Sequence, residues 1–314
     1  MKKVIKIILF VLILFILVEF ISCMLMPKES IKKYGLYKTA FYDILVEEKN
    51  SIDAVAIGDS LTYNSISPME IWHKYGITTY DCAEAGQIIS DSLEYLKIAI
   101  EHTHPKVVFI EGNVLFRDPN KKPNYVKARD ALKKVLPIFK IHNGWKDITF
   151  SEGYTNVNIT KGYKYNSKTK KGKKDGYMNE SLKSDFPKGN IEYLKQMKEL
   201  CDENNIKLVI LTTPSQKTWN EKRHNNAAKI AKELDIEFID LNIENPTKIN
   251  WEKDTKDEGD HLNYKGALKV SDYVGKYLKE TNLFDDKRQN KKYASWNNAY
   301  ENYINSLDDV INNQ

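Results

Sequence analysis

Two side chains that lie far apart in the sequence have the chemistry of a nucleophile and its base. Ser60 follows an apolar run and a glycine, in Ile57-Gly-Asp-Ser60. His261 stands in an acidic turn directly before a predicted helix. A neutral imidazole can take the proton of a serine hydroxyl and later return it to a leaving group. The pair therefore predicts nucleophilic acyl transfer, provided that the fold brings the two side chains together.

A histidine base needs an acid that holds its ring in the correct tautomer. Three acids lie within four residues of His261, and we leave the choice open among Asp257, Glu258 and Asp260. The other histidines lie on predicted helices, near helix ends or in a polar insert, and are weaker candidates for the base: His73, His102, His104, His142 and His224.

Acyl transfer also needs hydrogen-bond donors directed at the developing oxyanion. The backbone N–H of Ser60 is one candidate. Gly86 follows the second predicted strand, where a glycine lets the backbone approach a ligand closely, and Asn113 follows the third and offers a side-chain amide. Glycine and asparagine are common turn residues, so each signal is weak alone. Their shared position after successive strands makes them the predicted oxyanion donors.

The elements that must position these residues alternate between strand and helix. With amphipathic helices between them, buried strands are predicted at 53–57, 78–83, 106–111, 206–213 and 236–240. This alternation predicts parallel βαβ units and therefore an α/β fold with a mainly parallel sheet. Because the carboxyl ends of parallel strands share one rim, Ser60 and His261 can meet there.

The predicted domain, which we place at 53–283, contains an insert and is followed by a C-terminal segment. A polar insert at about 117–190 interrupts the alternation, and its stretch 168–174 contains no apolar residue. That stretch is read as a solvated loop, with binding of an anionic polymer as the alternative. In the C-terminal segment, 284–314, aromatic residues recur at spacings of three and four, which predicts a docked helix.

Composition narrows the classes of function. The chain has 314 residues, 41% of them hydrophobic and 29% charged, which predicts a globular protein. The net charge of +5 is spread over many Lys and many acids, so no nucleic-acid partner is expected. The three cysteines have no metal-ligand spacing and indicate no disulfide framework. We therefore expect neither a metal nor a cofactor.

The N-terminal segment, 1–26, predicts an association with a membrane. A basic start with Lys2, Lys3 and Lys6 precedes an apolar run of about the length that spans a bilayer. We favour an uncleaved signal anchor, followed by a juxtamembrane connector at 27–52. A cleaved signal peptide and a lipoprotein at Cys23 are the alternatives. Each places the predicted domain on the extracytoplasmic side, and the favoured one makes a single-pass protein of the cell membrane.

Four short sequence blocks resemble the SGNH/GDSL hydrolase superfamily, in the family's order. They are Gly-Asp-Ser-Leu at 58–61, Gly86, Gly112-Asn113 and His261-Leu-Asn263. In the third block Val114 stands where the family usually has Asp, and in the fifth Glu258 stands at the usual position of the acid. A one-residue bulge would bring Asp257 into that role instead, and we favour Asp257, with Glu258 and Asp260 as the alternatives. The resemblance implies a three-layer α/β/α fold, a Ser-His-Asp or Ser-His mechanism and no metal.

The resemblance together with the predicted anchor indicates a place in the cell envelope. The arrangement is similar to bacterial proteins that D-alanylate teichoic acids or O-acetylate polysaccharides beside a membrane-bound O-acyltransferase. It implies a serine esterase or O-acyltransferase that acts on an acylated envelope glycan or other polymer through an acyl-serine intermediate. The alternatives are a non-catalytic glycan-binding or envelope-assembly factor with the same fold and a purely structural membrane protein.

Overall fold

A computed structural model describes residues 2–25, 42–45, 47–119, 148–149, 153–154, 159–173, 178 and 181–312. The chain divides into two compact units. One comprises Met1–Glu47 and Lys122–Val157, and the other comprises Glu48–Lys121 and Asn158–Gln314. The insert predicted at 117–190 is thus shared between the units, and every candidate site residue belongs to the second.

The first unit is described mainly at its N-terminal helix, α1 (Lys2–Leu25). A short helix, α2 (Tyr42–Leu45), follows, and Ile148–Thr149 pairs antiparallel with Gly153–Tyr154. Within α1, Lys2–Ile21 is long and apolar enough to cross a membrane, a property that signal sequences share. The predicted connector at 27–52 lies outside the described residues except at 42–45 and 47–52.

The second unit is built on a five-stranded parallel sheet. Its strands are β1 (Ala54–Gly58), β2 (Thr79–Ala83), β3 (Val107–Glu111), β4 (Lys207–Thr212) and β5 (Glu237–Asp240). Their order is β2-β1-β3-β4-β5 and every pairing is parallel, which confirms the predicted sheet. The chain moves outward from β1 to β2 and then returns to the other side of β1. The carboxyl ends of β1 and β3 therefore flank a topological switch point, where open α/β sheets bind ligands.

Seven α-helices are described in this unit. They are α3 (Ser60–Ser65), α4 (Pro68–Tyr75), α5 (Ile89–Thr103), α6 (Asn190–Glu203), α7 (Glu221–Glu233), α8 (Tyr264–Glu280) and α9 (Ala294–Asn312). Alternate residues of the central strands, such as Ala56 and Phe109, form one core with Ile71 of α4 and Val270 of α8. On the other face α5 contacts β1, while α6 contacts β4 and α5. Helices thus cover both faces of the sheet and give the three layers expected.

The C-terminal helix α9 packs on α4 through aromatic side chains. The ring centroids of Trp72 and Trp296 lie 5.4 Å apart, and the Trp72 indole N–H donates to Asn297 at 3.1 Å. Tyr303 and Leu307 of α9 are also buried. The terminal segment therefore adds to the core of this unit.

Candidate active site

Ser60 is presented by a sharp turn between β1 and α3. Gly58, two residues before the serine, has no room for a side chain, because a Cβ there would lie 2.2 Å from Thr62 Oγ1 and 2.5 Å from Glu111 Cβ. Asp59 then caps α3, with its Oδ1 accepting from Leu61 N at 2.9 Å. The turn places Ser60 at the carboxyl end of a central strand and makes it the first residue of helix α3. The Ser60 N–H therefore has no intrahelical partner.

His261 meets Ser60 across this rim. Its Nε2 lies 2.8 Å from Ser60 Oγ, and its Nδ1 lies 2.6 Å from Asp257 Oδ2. A carboxylate can only accept, so Nδ1 carries the ring proton and Nε2 is free to accept from the serine hydroxyl. The three side chains form a continuous line from acid to base to nucleophile, which is the geometry of general-base activation.

Asp257 is the acid that this geometry favours. Its Oδ1 also accepts from the backbone N–H of His261 at 2.7 Å. Burial alone would raise the pKa of Asp257, but the hydrogen bonds from the ring and backbone of His261 outweigh it, and the net pKa is lowered. Asp257 therefore stays ionised beside the histidine, as an orienting acid must.

The other two acids are placed differently. Asp260 Oδ2 lies 3.6 Å from His261 Nδ1, too far for a hydrogen bond, while its Oδ1 lies 3.4 Å from Ser215 Oγ. Glu258 is exposed and pairs with Lys170 and Lys217. Left-handed backbone at Glu258 (φ 65°) and Gly259 (φ 90°) makes a tight turn before His261. The acid in contact consequently lies four residues before the histidine.

The segment that carries His261, the histidine loop (residues 250–263), is tied to residues 163–173, which we call the bridging segment. Lys170 N donates to Thr255 O at 3.0 Å, and Glu258 N donates back to Lys170 O at 3.2 Å. At the other end of the bridging segment, Lys164 N donates to Tyr63 O in α3 at 2.8 Å. The bridging segment thus links the serine helix to the histidine loop. Its residues 168–173 belong to the stretch expected to be a solvated loop, and the lysine side chains there are exposed.

Gly86 occupies the turn that follows β2. Its backbone is left-handed (φ 73°), a region that only glycine enters without cost, while a Cβ at this position would meet nothing within 4 Å. Glu84 N donates to Gly58 O at 3.2 Å, which holds the turn against the end of β1. The structure thus places Gly86 on the rim expected for an oxyanion donor.

Asn113 lies in a 3-10 helix, Gly112–Phe116, directly after β3. Its Nδ2 donates to Asp59 Oδ2 at 2.7 Å, and its Oδ1 accepts from Arg223 Nη1 at 2.9 Å. The side chain is buried. The amide therefore reaches the residue that precedes the nucleophile, and within the described residues Asp59 is the acceptor that its Nδ2 contacts.

Two arginines at this rim were not identified from the sequence. The Nε and Nη2 atoms of Arg117 contact Asp59 Oδ2 at 2.6 and 2.5 Å, and the Asp59 carboxylate is fully buried. Burial and, next, the charge of Arg117 lower the pKa of Arg223 to about 10, so Arg223 remains a cation at neutral pH. The position of Arg117, four residues after Asn113 in the third block, could have indicated a site residue. The local sequence around Arg223, on α7, contains no such signal.

Glu111, the last residue of β3, is a further buried acid beside this group. It accepts from Thr213 Oγ1 at 2.7 Å and from Asn113 N at 3.4 Å. Burial and, secondarily, the nearby charge of Asp59 raise its pKa to about 8. Glu111 is therefore mostly protonated at neutral pH, and the acid that contacts Arg117 is Asp59.

Within the described residues, the group of possible metal ligands that lie close together is Asp257, Asp260 and His261. These belong to the constellation just described. Both ring nitrogens of His261 already contact Ser60 and Asp257. The arrangement therefore needs no ion to account for its geometry.

Searches with family models and among curated proteins return no match for this chain. Similar solved structures include a GDSL-like lipase from Bacteroides thetaiotaomicron, with 12% identity, a TM-score of 0.40, and coverage of 78% of this chain and 98% of that chain. They also include the psychrotrophic esterase EstA from a Pseudoalteromonas species, with 10% identity, a TM-score of 0.40, and coverage of 74% and 100% respectively.

A third similar structure is an acetyl xylan esterase, with 13% identity and a TM-score of 0.37, and the match covers 74% of this chain and 100% of that chain. Identities of 10–13% and TM-scores of 0.37–0.40 are low. The chemistry assigned to Ser60 and His261 therefore rests on the side-chain geometry.

Proposed function

We propose that the chain is an SGNH/GDSL-type serine esterase or O-acyltransferase. The observation that carries the proposal is the unbroken hydrogen-bonded line from Asp257 through His261 to Ser60. A serine hydroxyl is a poor nucleophile at neutral pH, and a histidine within hydrogen-bond reach activates it. The glycine-led turn places the half-buried Ser60 at the switch point, where open α/β sheets bind ligands.

The reaction follows from the contacts. His261 Nε2 takes the proton of Ser60 Oγ as the oxygen attacks an ester carbonyl, and the resulting imidazolium is stabilised by Asp257. The oxyanion is bound by donors on the rim, for which we assign the N–H groups of Ser60 and Gly86 and the Asn113 amide. His261 then returns the proton to the leaving alkoxide, which leaves an acyl-Ser60. Water, or a hydroxyl of an acceptor, attacks this ester with His261 again as base. His261 then returns that proton to Ser60 Oγ as the acyl–Oγ bond breaks, and the acyl group leaves as the acid or as an ester of the acceptor.

Removing the nucleophile tests the proposal. Ser60→Ala should abolish hydrolysis of a short-chain p-nitrophenyl ester and labelling by a fluorophosphonate probe. Ser65→Ala, in the same helix α3, is the matched control and should retain both. If the wild-type protein neither labels nor hydrolyses any short acyl ester, the proposal is wrong. The non-catalytic glycan-binding or envelope-assembly role then becomes the better assignment.

The finer proposal is an extracytoplasmic enzyme anchored by α1 that acts on an acylated cell-envelope glycopolymer. Its support is the apolar span Lys2–Ile21 and the lysines at its start. A membrane-bound O-acyltransferase as the source of acyl groups is part of this proposal. Protease accessibility in intact cells should show the second unit outside the membrane. The ester content of envelope polymers should change when Ser60→Ala replaces the wild type, and an unchanged content would contradict the substrate assignment.

A further inference from the structure

Both ends of the Asn113 side-chain amide are hydrogen-bonded, one to a donor and the other to an acceptor. Arg223 can only donate and contacts Oδ1, while the Asp59 carboxylate can only accept and contacts Nδ2. Rotating the amide by half a turn would set donor against donor and acceptor against acceptor. The contacts therefore fix which atom of the amide faces the turn that carries Ser60.

Arg223 is itself held in place. Its Nη1 also donates to Thr218 O at 2.6 Å, and its Nε and Nη2 both donate to Lys183 O, at 3.0 and 2.9 Å. Its Cζ lies 4.9 Å from the ring centroid of Phe116, a cation–π contact. A guanidinium with this many partners has little freedom, so it can hold the amide oxygen in one place.

The same contacts continue to the nucleophile. Asp59 Oδ2 receives Asn113 and Arg117 together, and its Oδ1 caps the helix that begins at Ser60. We call Asp59, Asn113, Arg117 and Arg223 the charged cluster. It runs from α7, across the 3-10 helix, to the residue preceding the serine. A substitution of Arg223 can therefore alter the oxyanion side of the site, although Arg223 itself does not contact the substrate.

We propose that Arg223 is a positioning residue that acts through Asn113, holding Nδ2 beside Ser60 so that its second hydrogen is directed to the oxyanion. The inference rests on the esterase proposal for its effect on rate. Asp59 accepts one Nδ2 hydrogen, and the amide's planarity then sets the direction of the other. Without Arg223, the amide can rotate and present its oxygen to a developing negative charge, which would raise the barrier.

A double-mutant cycle tests this dependence. Asn113→Ala removes one oxyanion donor and should lower kcat by about 100–1,000-fold. Arg223→Gln should lower kcat at least ~10-fold with KM changed less than about threefold, because the donor is misdirected rather than lost. The double variant should be no slower than Asn113→Ala alone, since Arg223 acts through that amide. Lys222→Gln removes the same charge from an exposed position of α7 and should match the wild type.

Two outcomes of the cycle would overturn the proposal. One is a wild-type kcat in Arg223→Gln, and the other is a double variant in which the two losses multiply in full. Thermal unfolding of all four proteins shows whether a variant is folded. Arg223→Lys is the second variant: it keeps the charge without the planar fork and should restore only part of the rate.

A substrate-free measurement separates this proposal from the esterase assignment. In ¹⁵N-labelled protein, the Asn113 Nδ2 hydrogen that donates to Asp59 should exchange slowly with solvent. Arg223→Gln should speed that exchange at least ~10-fold, and Lys222→Gln should leave it unchanged. If the wild type hydrolyses no ester, the esterase assignment fails and the exchange rates still decide whether Arg223 positions the amide. Equal exchange in Arg223→Gln and wild type would reject the positioning role.

Discussion

The two sides of Ser60 are held by different kinds of interaction. On one side, His261 is fixed by an acid four residues away and by backbone hydrogen bonds between the histidine loop and the bridging segment. On the other side, the charged cluster joins Asp59 to Arg223 through side chains from elements far apart in the sequence. The first side is partly open to solvent, whereas the Asp59 carboxylate on the second is fully buried.

This difference separates the tasks of the two sides. A base must exchange protons with substrate and water, so its surroundings can remain accessible, and Asp257 keeps 39% of its side-chain surface exposed. Oxyanion donors work best when they are preorganised and shielded from water. Buried charges that satisfy one another provide that rigidity, and they make the second side more sensitive to the loss of any one member.

The largest expected effect on the histidine side comes from the orienting acid. Asp257→Asn keeps the shape of the side chain but lets His261 adopt the wrong tautomer, so kcat for ester hydrolysis should fall by ~10²–10³-fold. Glu258→Gln should stay within about twofold of wild type, because Glu258 contacts lysines on the surface. Steady-state kinetics on one short-chain ester compares the variants.

Asp260→Asn gives the internal comparison, because Asp260 lies 3.6 Å from the same ring nitrogen. We expect less than a tenfold loss of kcat. If Asp260→Asn were as damaging as Asp257→Asn, the two acids would share the role. The hydrogen bond between Asp257 and His261 would then not be sufficient to explain how the ring is oriented.

The histidine side could be predicted from the sequence to a larger extent than the charged cluster. The parallel sheet, Ser60 and His261 follow from apolar runs, a glycine and residue order, all of which are local signals. The choice of Asp257 depends on left-handed backbone at Glu258 and Gly259, and spacing alone left it open.

The charged cluster could not be predicted in this way. Its contacts depend on which side chains α7 and the 3-10 helix turn toward one another, and Arg223 is 110 residues from Asn113. An arginine on a polar helix resembles any solvated arginine until the helices are packed. The stretch 168–174 was expected to be a solvated loop for a similar reason. The backbone hydrogen bonds between Lys170 and the histidine loop do not depend on residue type, so the sequence does not indicate them.

The buried side should also control how stability depends on pH. Glu111 has a folded-state pKa of about 8 against an ordinary value of 4.5, so the folded state binds more protons between these values. Its contribution to the free energy of unfolding therefore falls as the pH rises from about 4.5 to about 8, by at most ~1.4 kcal/mol per pH unit. Glu111→Gln lacks this titration and should gain stability relative to wild type across that window.

Urea unfolding at a series of pH values from 5 to 9 measures the difference. Glu192, exposed on α6, provides the matched substitution, and Glu192→Gln should follow the wild-type profile. Parallel profiles for Glu111→Gln and wild type would show that Glu111 titrates alike in the folded and unfolded states. The contrast between a buried, titrating side and an open one would then fail.

The smallest expected effect distinguishes the contribution of the Lys170 side chain from that of its backbone N–H. Lys170 pairs with Glu258 at an exposed position, while its N–H donates to Thr255 O in the histidine loop. Lys170→Ala should leave kcat/KM within about twofold of wild type, since exposed ion pairs contribute little. Lys170→Pro removes the N–H and should lower kcat/KM several-fold by loosening His261. Equal effects of the two changes would mean that the lysine side chain holds the loop, and the histidine side would then depend on side-chain charge as the other side does.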